Sequence, residues 1–508
     1  MQLNSFTSKR IWPLISLFLF IHFGFGFLLN LSTDEAHYAL YGLHPDWSYF
    51  DHPPLVGWIQ ILPIWLGAND GLLRLIPETL WLISNLISVQ IVKEIIEKSG
   101  PELNIDKTLT TKVTTYAQWF TVACISLSPI IHVLAVGLLP DTLLMAIVPS
   151  MIWLTLKLKH ALSEKKDHDL SWWIILGVVL GIAGLSKYTA VFFALAIPSC
   201  LIVWQGWAIF KRPGLWLCLL IASTLISPII YWNWQHHWIS FIYQLNHGAG
   251  GIWKPHRILS FLLTQLATYG LLMPIGLIYC FQFRVKFQKS ILLFSIIPFS
   301  IFAYMSGGGG SLPHWTSSAW IALSPISSIG LALAWLKNKH RLISVLMLIQ
   351  AIICALGFAL LFFGGLPGVT KNDRLGEKNP LADLYGWKNA GEHASSLAKK
   401  YNTTNLAVQN WTLASRLAWY SKPLPVYVLD DRYDQFDIWF GDLKPGESAI
   451  VVNFSGMSFT TPTQAGAFKS CKTVDNLDIY RIGRIISSFE FLLCSEWGGK
   501  PNPIRISH

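Results

Sequence analysis

Charge is scarce in this chain. Asp, Glu, Lys and Arg make up 13% of its 508 residues, about half the roughly 25% of an ordinary soluble domain, which excludes a single water-exposed globule. Cysteine is scarce too. Seven in a chain of this length exclude a disulfide scaffold, and without a CxxC or a Cys/His cluster there is no sign of a structural zinc. No internal repeat appears, and no low-complexity tract beyond the glycines at 307–310. The stretch "STDEAHYALYGLHPDWSYFDHPP" (32–54) has four acids, three histidines and many aromatics, yet no lysine or arginine.

What is abundant is apolar sequence. Hydrophobic residues make up 53% of the chain, and runs near 20 residues long, enough for a helix to cross a bilayer, recur along most of it. Spans are expected near 11–30, 72–92, 113–128, 139–157, 172–186, 188–209, 214–231, 259–281, 291–306, 317–336 and 342–364. The first follows Lys9-Arg10 but is long for a signal-peptide core and lacks a small-residue cleavage site, so it reads as a retained helix. Lysines and arginines gather at the N-terminus and in every second loop (Lys93, Lys157, Lys159, Lys211, Arg212, Lys289, Lys337, Arg341), while the other loops hold only Lys187, Lys254 and Arg257, with Arg74 at a helix mouth. By the positive-inside rule the N-terminus is cytoplasmic and the 32–70 loop faces outward. After about residue 368 the long apolar runs stop, and β-like runs at 405–410, 424–430 and 448–454 join a helical stretch at 385–401. The expected fold is an all-α polytopic membrane bundle of about eleven transmembrane helices over 1–368, followed by a small extracytoplasmic α/β domain over 369–508. Cys471 and Cys494 fall in that last region, where oxidation is chemically open; a bridge and two separate thiols both fit.

Ionisable groups at membrane depth are costly, so those at the outer ends of spans are functional candidates. Ser32 and Glu35 have the spacing of a capping box. Asp34 lies about 100° around the same helix and, with His37, Tyr38 and Tyr41, forms an i, i+3, i+4, i+7 face. The bland alternative for Asp34 is a first-turn acid favoured by the helix dipole. Asp51-His52 precedes two prolines that stiffen the chain, and 55–67 reads as an amphipathic surface stretch with Trp58 and Trp65 at headgroup level. Asp141 sits at a span mouth after Pro140, either as a helix-start acid or as a site group. Lys187 is placed to meet a lipid phosphate or to snorkel to the interface. The 231–259 loop collects His247, Lys254, His256 and Arg257, charge-assisted donors of the kind a phosphate needs, and His314 stands in "GGGGSLPHW".

These residues carry a resemblance. "STDEAHYALYGLHPDWSYFDHPPLVGWI", together with "GLSKYTA", "YWNWQHHWISFIYQLNHG", "LPHW", "DLYGWKNAGEHA" and "DQFDIWF", resembles the membrane glycosyltransferases related to dolichyl-phosphate-mannose–protein mannosyltransferases, which include the bacterial lipid A aminoarabinose transferases. The resemblance implies a GT-C fold, a polyprenyl monophosphate sugar donor and inverting transfer on the non-cytoplasmic side, here in a bacterial inner membrane. It implies Asp34 as catalytic base, with Asp51 and its neighbour contacting donor or metal; that neighbour is His52 where the aminoarabinose-type relatives carry lysine. Tyr38, Asp141, Lys187, His247, Arg257 and His314 complete the expected substrate site, and Asp51 with His247 is the candidate pair for a divalent ion, the one cofactor considered. The expected partners are the donor, a lipid or glycan acceptor such as lipid A, and membrane lipids, with no nucleic acid. The rival readings are a flippase for lipid-linked sugars, against which stands the lack of matching broken segments in two halves, and a protein O-glycosyltransferase.

Overall fold

The computed structural model describes residues 9–99, 107–163, 170–249, 251–283, 285, 289–309, 311–365, 380–457 and 468–499. By packing, the chain divides into two compact units. One holds 1–24, 51–56 and 74–355; the other holds 25–50, 57–73 and 356–508.

Among the described residues, eight helices are long and apolar enough to span a membrane: Lys9–Leu28, Asp70–Glu97, Pro140–Ser163, Ala190–Lys211, Pro213–Gln235, Lys289–Gly308, Pro313–Leu336 and His340–Phe363. The expected spans at 113–128 and 259–281 are bent pairs instead, Leu109–Ser126 with Pro129–Val136 at 76° and His256–Tyr269 with Leu272–Gln282 at 97°. Counting each pair as one span makes ten. The eleventh expected span is the Ser171–Ser186 helix, too short at 16 residues to count with the others. Gly177 and Gly181 let it run against Pro213–Gln235 so closely that an added Cβ would strike Cys218 and Leu225, the close approach that small residues permit between membrane helices.

The two bends have sequence causes. Pro129 starts the second half of the first pair and supplies no N–H. Gly270 ends His256–Tyr269 at φ +78, and a side chain there would collide with the Gln350 amide. A broken helix leaves backbone groups that lipid cannot satisfy. The buried Gln350 side chain takes them up: its Nε2 donates to the Leu127 carbonyl at 2.8 Å and the Tyr269 carbonyl at 3.3 Å, and its Oε1 accepts from Leu272 N at 3.2 Å. Ser128 Oγ also donates to the Tyr269 carbonyl, at 3.0 Å.

The C-terminal part of the second unit is a mixed five-stranded sheet with helices. Strands β1 (Leu406–Val408), β2 (Val426–Val428), β3 (Ala449–Phe454), β4 (Phe468–Arg481) and β5 (Arg484–Trp497) run in the order β2-β1-β3-β5-β4. β1 is parallel to β2 and β3, whereas β5 is antiparallel to β3 and β4. The expected helix is Trp387–Lys400. Cys471 and Cys494 face each other across β4 and β5 and form a disulfide. The expected boundary at 368/369 lies outside the described residues. The core of this unit joins sheet and helix residues to Leu29, Leu31, Ala36, Ala39, Leu40 and Leu73 from the early part of the chain.

Candidate functional site

In the second unit, the Thr33–Leu43 helix starts on the expected capping box. Ser32 Oγ accepts from Glu35 N at 3.4 Å, and Glu35 Oε2 accepts from Ser32 N at 3.0 Å. Glu35 is thereby committed and buried, while Asp34 is half-buried in the first turn. The face expected to be reactive is mostly packed away. His37 is buried, its Nδ1 is 3.2 Å from Ser415 Oγ, and its ring lies among Tyr41, Trp411 and Trp439. Tyr38 is buried, with its carbonyl bonded to Gln60 Nε2 at 2.9 Å; Tyr41 stacks on Tyr49 at 3.6 Å. Asp34 thus keeps its candidacy without the neighbours the helical wheel assigned to it.

The sequence reading passed over the Trp411–Ser421 helix, which packs on Thr33–Leu43 and carries the fully buried Arg416. Arg416 donates to Asp383 Oδ1 at 2.8 Å and lies 4.2 Å from the Trp387 ring centre. A signal was present: Asn410 as N-cap before Leu413, Leu417 and Ala414, Ala418 at helical spacing. The acids of "DRYDQFD" also acquire an environment. Asp434 caps the Gln435–Trp439 helix, and burial pushes its carboxyl up to about 7, with Asp437 and Asp430 adding to the rise against the Phe436 N–H and His37.

In the first unit, three expected residues meet. Lys187 caps the end of Ser171–Ser186, and its Nζ donates to both Asp141 oxygens at 2.7 and 2.6 Å. His314 Nε2 lies 3.6 Å from Asp141 Oδ2, and Trp315 lies under the ammonium at 5.8 Å. Lys187 does not snorkel; it is buried against a carboxylate. It also lines a groove of about 310 Å³ that is otherwise mostly apolar, with Leu180, Val191, Ile226 and Phe241 among its walls. Arg257 borders a separate polar cavity of about 200 Å³ with Ser260, Thr264, Gln265, Ser306 and Ser311, and its guanidinium donates to the Ile252 carbonyl at 3.2 Å.

Asp51 and His52 form the expected bend before Pro53-Pro54, and the Asp51 carbonyl accepts from Gln244 Nε2 at 2.6 Å. The amphipathic stretch is the Leu55–Trp65 helix, with Trp65 79% exposed. The His247 side chain lies outside the described residues. Among the described residues no three His, Cys, Asp or Glu side chains gather to hold a metal ion.

Residues 105–232 match the family described as dolichyl-phosphate-mannose-protein mannosyltransferase. The whole chain is similar to two crystal structures of ArnT from Cupriavidus metallidurans. One, bound to undecaprenyl phosphate, is 15% identical at a TM-score of 0.61, covering 97% of this chain and 100% of that one. The other, in the apo state, is 14% identical at 0.57, covering 97% and 99%. At these identities the likeness is one of fold, and it reaches the C-terminal domain as well as the membrane helices. A comparison with curated proteins returns no match.

Proposed function

We propose that this integral membrane protein, built on the fold it shares with ArnT, is an inverting glycosyltransferase that uses a polyprenyl monophosphate sugar. The acceptor is an envelope molecule, lipid A or another glycan, met on the outer face of a bacterial inner membrane. In the reaction the acceptor hydroxyl oxygen bonds to the anomeric carbon as the bond from that carbon to the phosphate oxygen breaks. The hydroxyl proton passes to the Asp34 carboxylate, and polyprenyl phosphate leaves with the electron pair of the broken bond. Lys187 supplies positive charge and His314 a donor to the departing phosphate, with Arg257, Asp51 and His52 as further substrate-site residues. No step is routed through a metal.

One observation carries the reading. Lys187 stands at the junction of a buried charged cluster and an apolar groove. A lipid-linked phosphate has that same character, a charged head directly joined to a hydrocarbon chain. An incoming phosphate competes with Asp141 for the ammonium, and the groove offers apolar wall to the first isoprene units. Asp141 meanwhile holds the lysine in place through two hydrogen bonds.

The test uses membranes supplied with polyprenyl-phosphate sugar. Asp34→Asn is expected to abolish transfer with normal expression and membrane insertion, whereas Glu35→Gln loses mainly stability because it breaks the cap. Near-wild-type turnover by Asp34→Asn rules out the base assignment. Mass spectrometry of envelope glycolipids with and without the gene names the acceptor, and an unchanged glycolipid profile with altered glycoproteins would point to protein hydroxyls instead.

A further inference from the structure

The end of the last membrane helix, His340–Phe363, and the β4–β5 hairpin meet inside the second unit. Tyr385 Oη donates to the Leu361 carbonyl, and Arg481 Nε donates to the Phe362 carbonyl at 2.9 Å. Both carbonyls lie in the last turn of the helix, where no backbone N–H of the helix is left to meet them. The Arg481 guanidinium also stands 5.1 Å from the Phe362 ring centre and 5.4 Å from that of Tyr385. Gly364, at φ +74, leaves the helix so close to the hairpin that an added Cβ would strike Ile486 and crowd Arg481. The tip of the hairpin is thus fixed at the end of a membrane span.

The span sets its depth. The helix has 24 residues and begins at His340-Arg341, and its length of about 36 Å slightly exceeds the roughly 30 Å of a hydrocarbon core. With those cations in one headgroup layer, Phe362 and Phe363 reach the opposite edge of the hydrocarbon, and the tip stands beside them. The residues of the tip suit that place. Tyr480 and Ile482 are 63% and 58% exposed. Ile482 turns the chain at φ +49, followed by Gly483 at φ +73, a left-handed conformation that strains a β-branched residue. Asn-Gly would make the same turn without that strain. Arg481 and Arg484 face each other across the strands, a like-charge pair that is unfavourable in water. In water these choices all cost stability. At a bilayer edge the isoleucine and tyrosine gain apolar surroundings, and the arginines gain phosphates.

We infer that the β4–β5 tip is a membrane-interface anchor: Tyr480 and Ile482 enter the lipid leaflet on the side where the last span ends, and Arg484 meets lipid phosphate. Lipid is the occupant because the apolar surface of the tip continues that of Phe362 and Phe363, which are themselves exposed on the span. The inference uses only the membrane span and the hairpin, and it holds whatever reaction the protein carries out. The C-terminal domain then has a second hold on the bilayer besides its covalent link to the helix, which fixes the end of its sheet at the height of the headgroups.

The experiment places a nitroxide on Ile482→Cys in the full-length protein, reconstituted at low density in liposomes of phosphatidylethanolamine and phosphatidylglycerol. It reads collisions of the label with oxygen, which concentrates in lipid, against collisions with a water-soluble nickel chelate. The five free cysteines are buried, and the unsubstituted protein treated alike gives the background. Asn476→Cys, exposed on β4 and about 20 Å back along the strand, is the aqueous reference. The ratio of oxygen to nickel collisions at 482 is expected to exceed that at 476 several-fold. Tyr480→Cys repeats the measurement without altering the turn, and decides if Ile482→Cys disturbs the hairpin. Ratios at 480 and 482 no higher than at 476 overturn the inference. Shielding of the label from both reagents overturns it as well, because protein, such as a second copy of the chain, would then cover the tip.

Discussion

A carboxyl group buried at a helix start makes its host's stability depend on pH. The side chain of Asp434 accepts from Phe436 N at 2.7 Å, and its other oxygen is buried without a hydrogen-bond partner among the described residues. In the unfolded chain this acid titrates near 3.8, and in the folded protein near 7. Between those values the folded state holds a proton that the unfolded state has released. Stability from this group is therefore full below about 3.8 and is lost as the pH rises through about 7, at roughly 1.4 kcal/mol per pH unit at most. Asp434→Asn keeps a cap acceptor and cannot ionise. Thermal unfolding of the full-length protein between pH 4.5 and 7.5 should show a flatter profile for the variant and a higher midpoint at pH 7.5. Equal slopes in the two proteins would mean that Asp434 does not titrate in this window. The residue scale also shows how far side-chain roles were legible. Ser32, Asp34 and Glu35 lie within four residues of one another, where spacing alone assigns the cap. Tyr420, which accepts from Leu31 N, is 389 positions from it, and no local pattern announces a partner at that distance.

At the scale of elements, the membrane helices were legible because their signal is simply length of apolar run, and the bends were not because each rests on one or two residues. The Leu109–Ser126 and His256–Tyr269 helices both stop where Gln350 can bond their loose backbone. Gln350→Leu leaves the Leu127 carbonyl and the Leu272 N–H without this partner. Such bonds in membrane bundles contribute about 0.6 to 2 kcal/mol each, so a loss of about 2 kcal/mol is expected. Ile349, the preceding residue on the same helix, is 48% exposed, and Ile349→Leu serves as the neutral control. Thermal unfolding in detergent should fall by several degrees for Gln350→Leu alone; equal midpoints in the two variants would show that the bends do not need the amide. The β4–β5 hairpin escaped the sequence reading for a different reason. β4 is mostly exposed and polar, so it lacks the alternation that marks a half-buried strand. Its turn at Ile482-Gly483, with φ of 49 and 73, uses an isoleucine where Asn or Asp is usual.

At the scale of the whole molecule, the domain that follows the last membrane helix does not own all of its core. Leu29, Leu31, Leu40 and Leu73 are buried in the same cluster as Trp387, Leu413, Leu417 and Phe436. A buried leucine contributes about 2 kcal/mol, so these four together contribute about 8 kcal/mol. A domain's entire stability is about 5 to 15 kcal/mol. A fragment of residues 380–508 made alone therefore loses much of what holds it together and exposes an apolar face over Trp411–Ser421. It is expected to be aggregated or loosely packed, with weak near-ultraviolet circular dichroism and little protection against amide exchange. Adding residues 25–73 through a flexible linker restores the Thr33–Leu43 helix, its capping box and the Leu31–Tyr420 and His37–Ser415 ties. The linked fragment should be soluble, unfold cooperatively and protect the Trp411–Ser421 amides. If the isolated 380–508 fragment is already cooperative and gains nothing from residues 25–73, the shared core contributes little, and the 25–73 segment and the C-terminal domain are separate folding units. The expected dependence has a functional corollary. The segment carrying Asp34 is expected to fold only with the helix carrying Ser415 and Tyr420, so a chain interrupted before Trp411 is expected to lack an ordered Thr33–Leu43 helix.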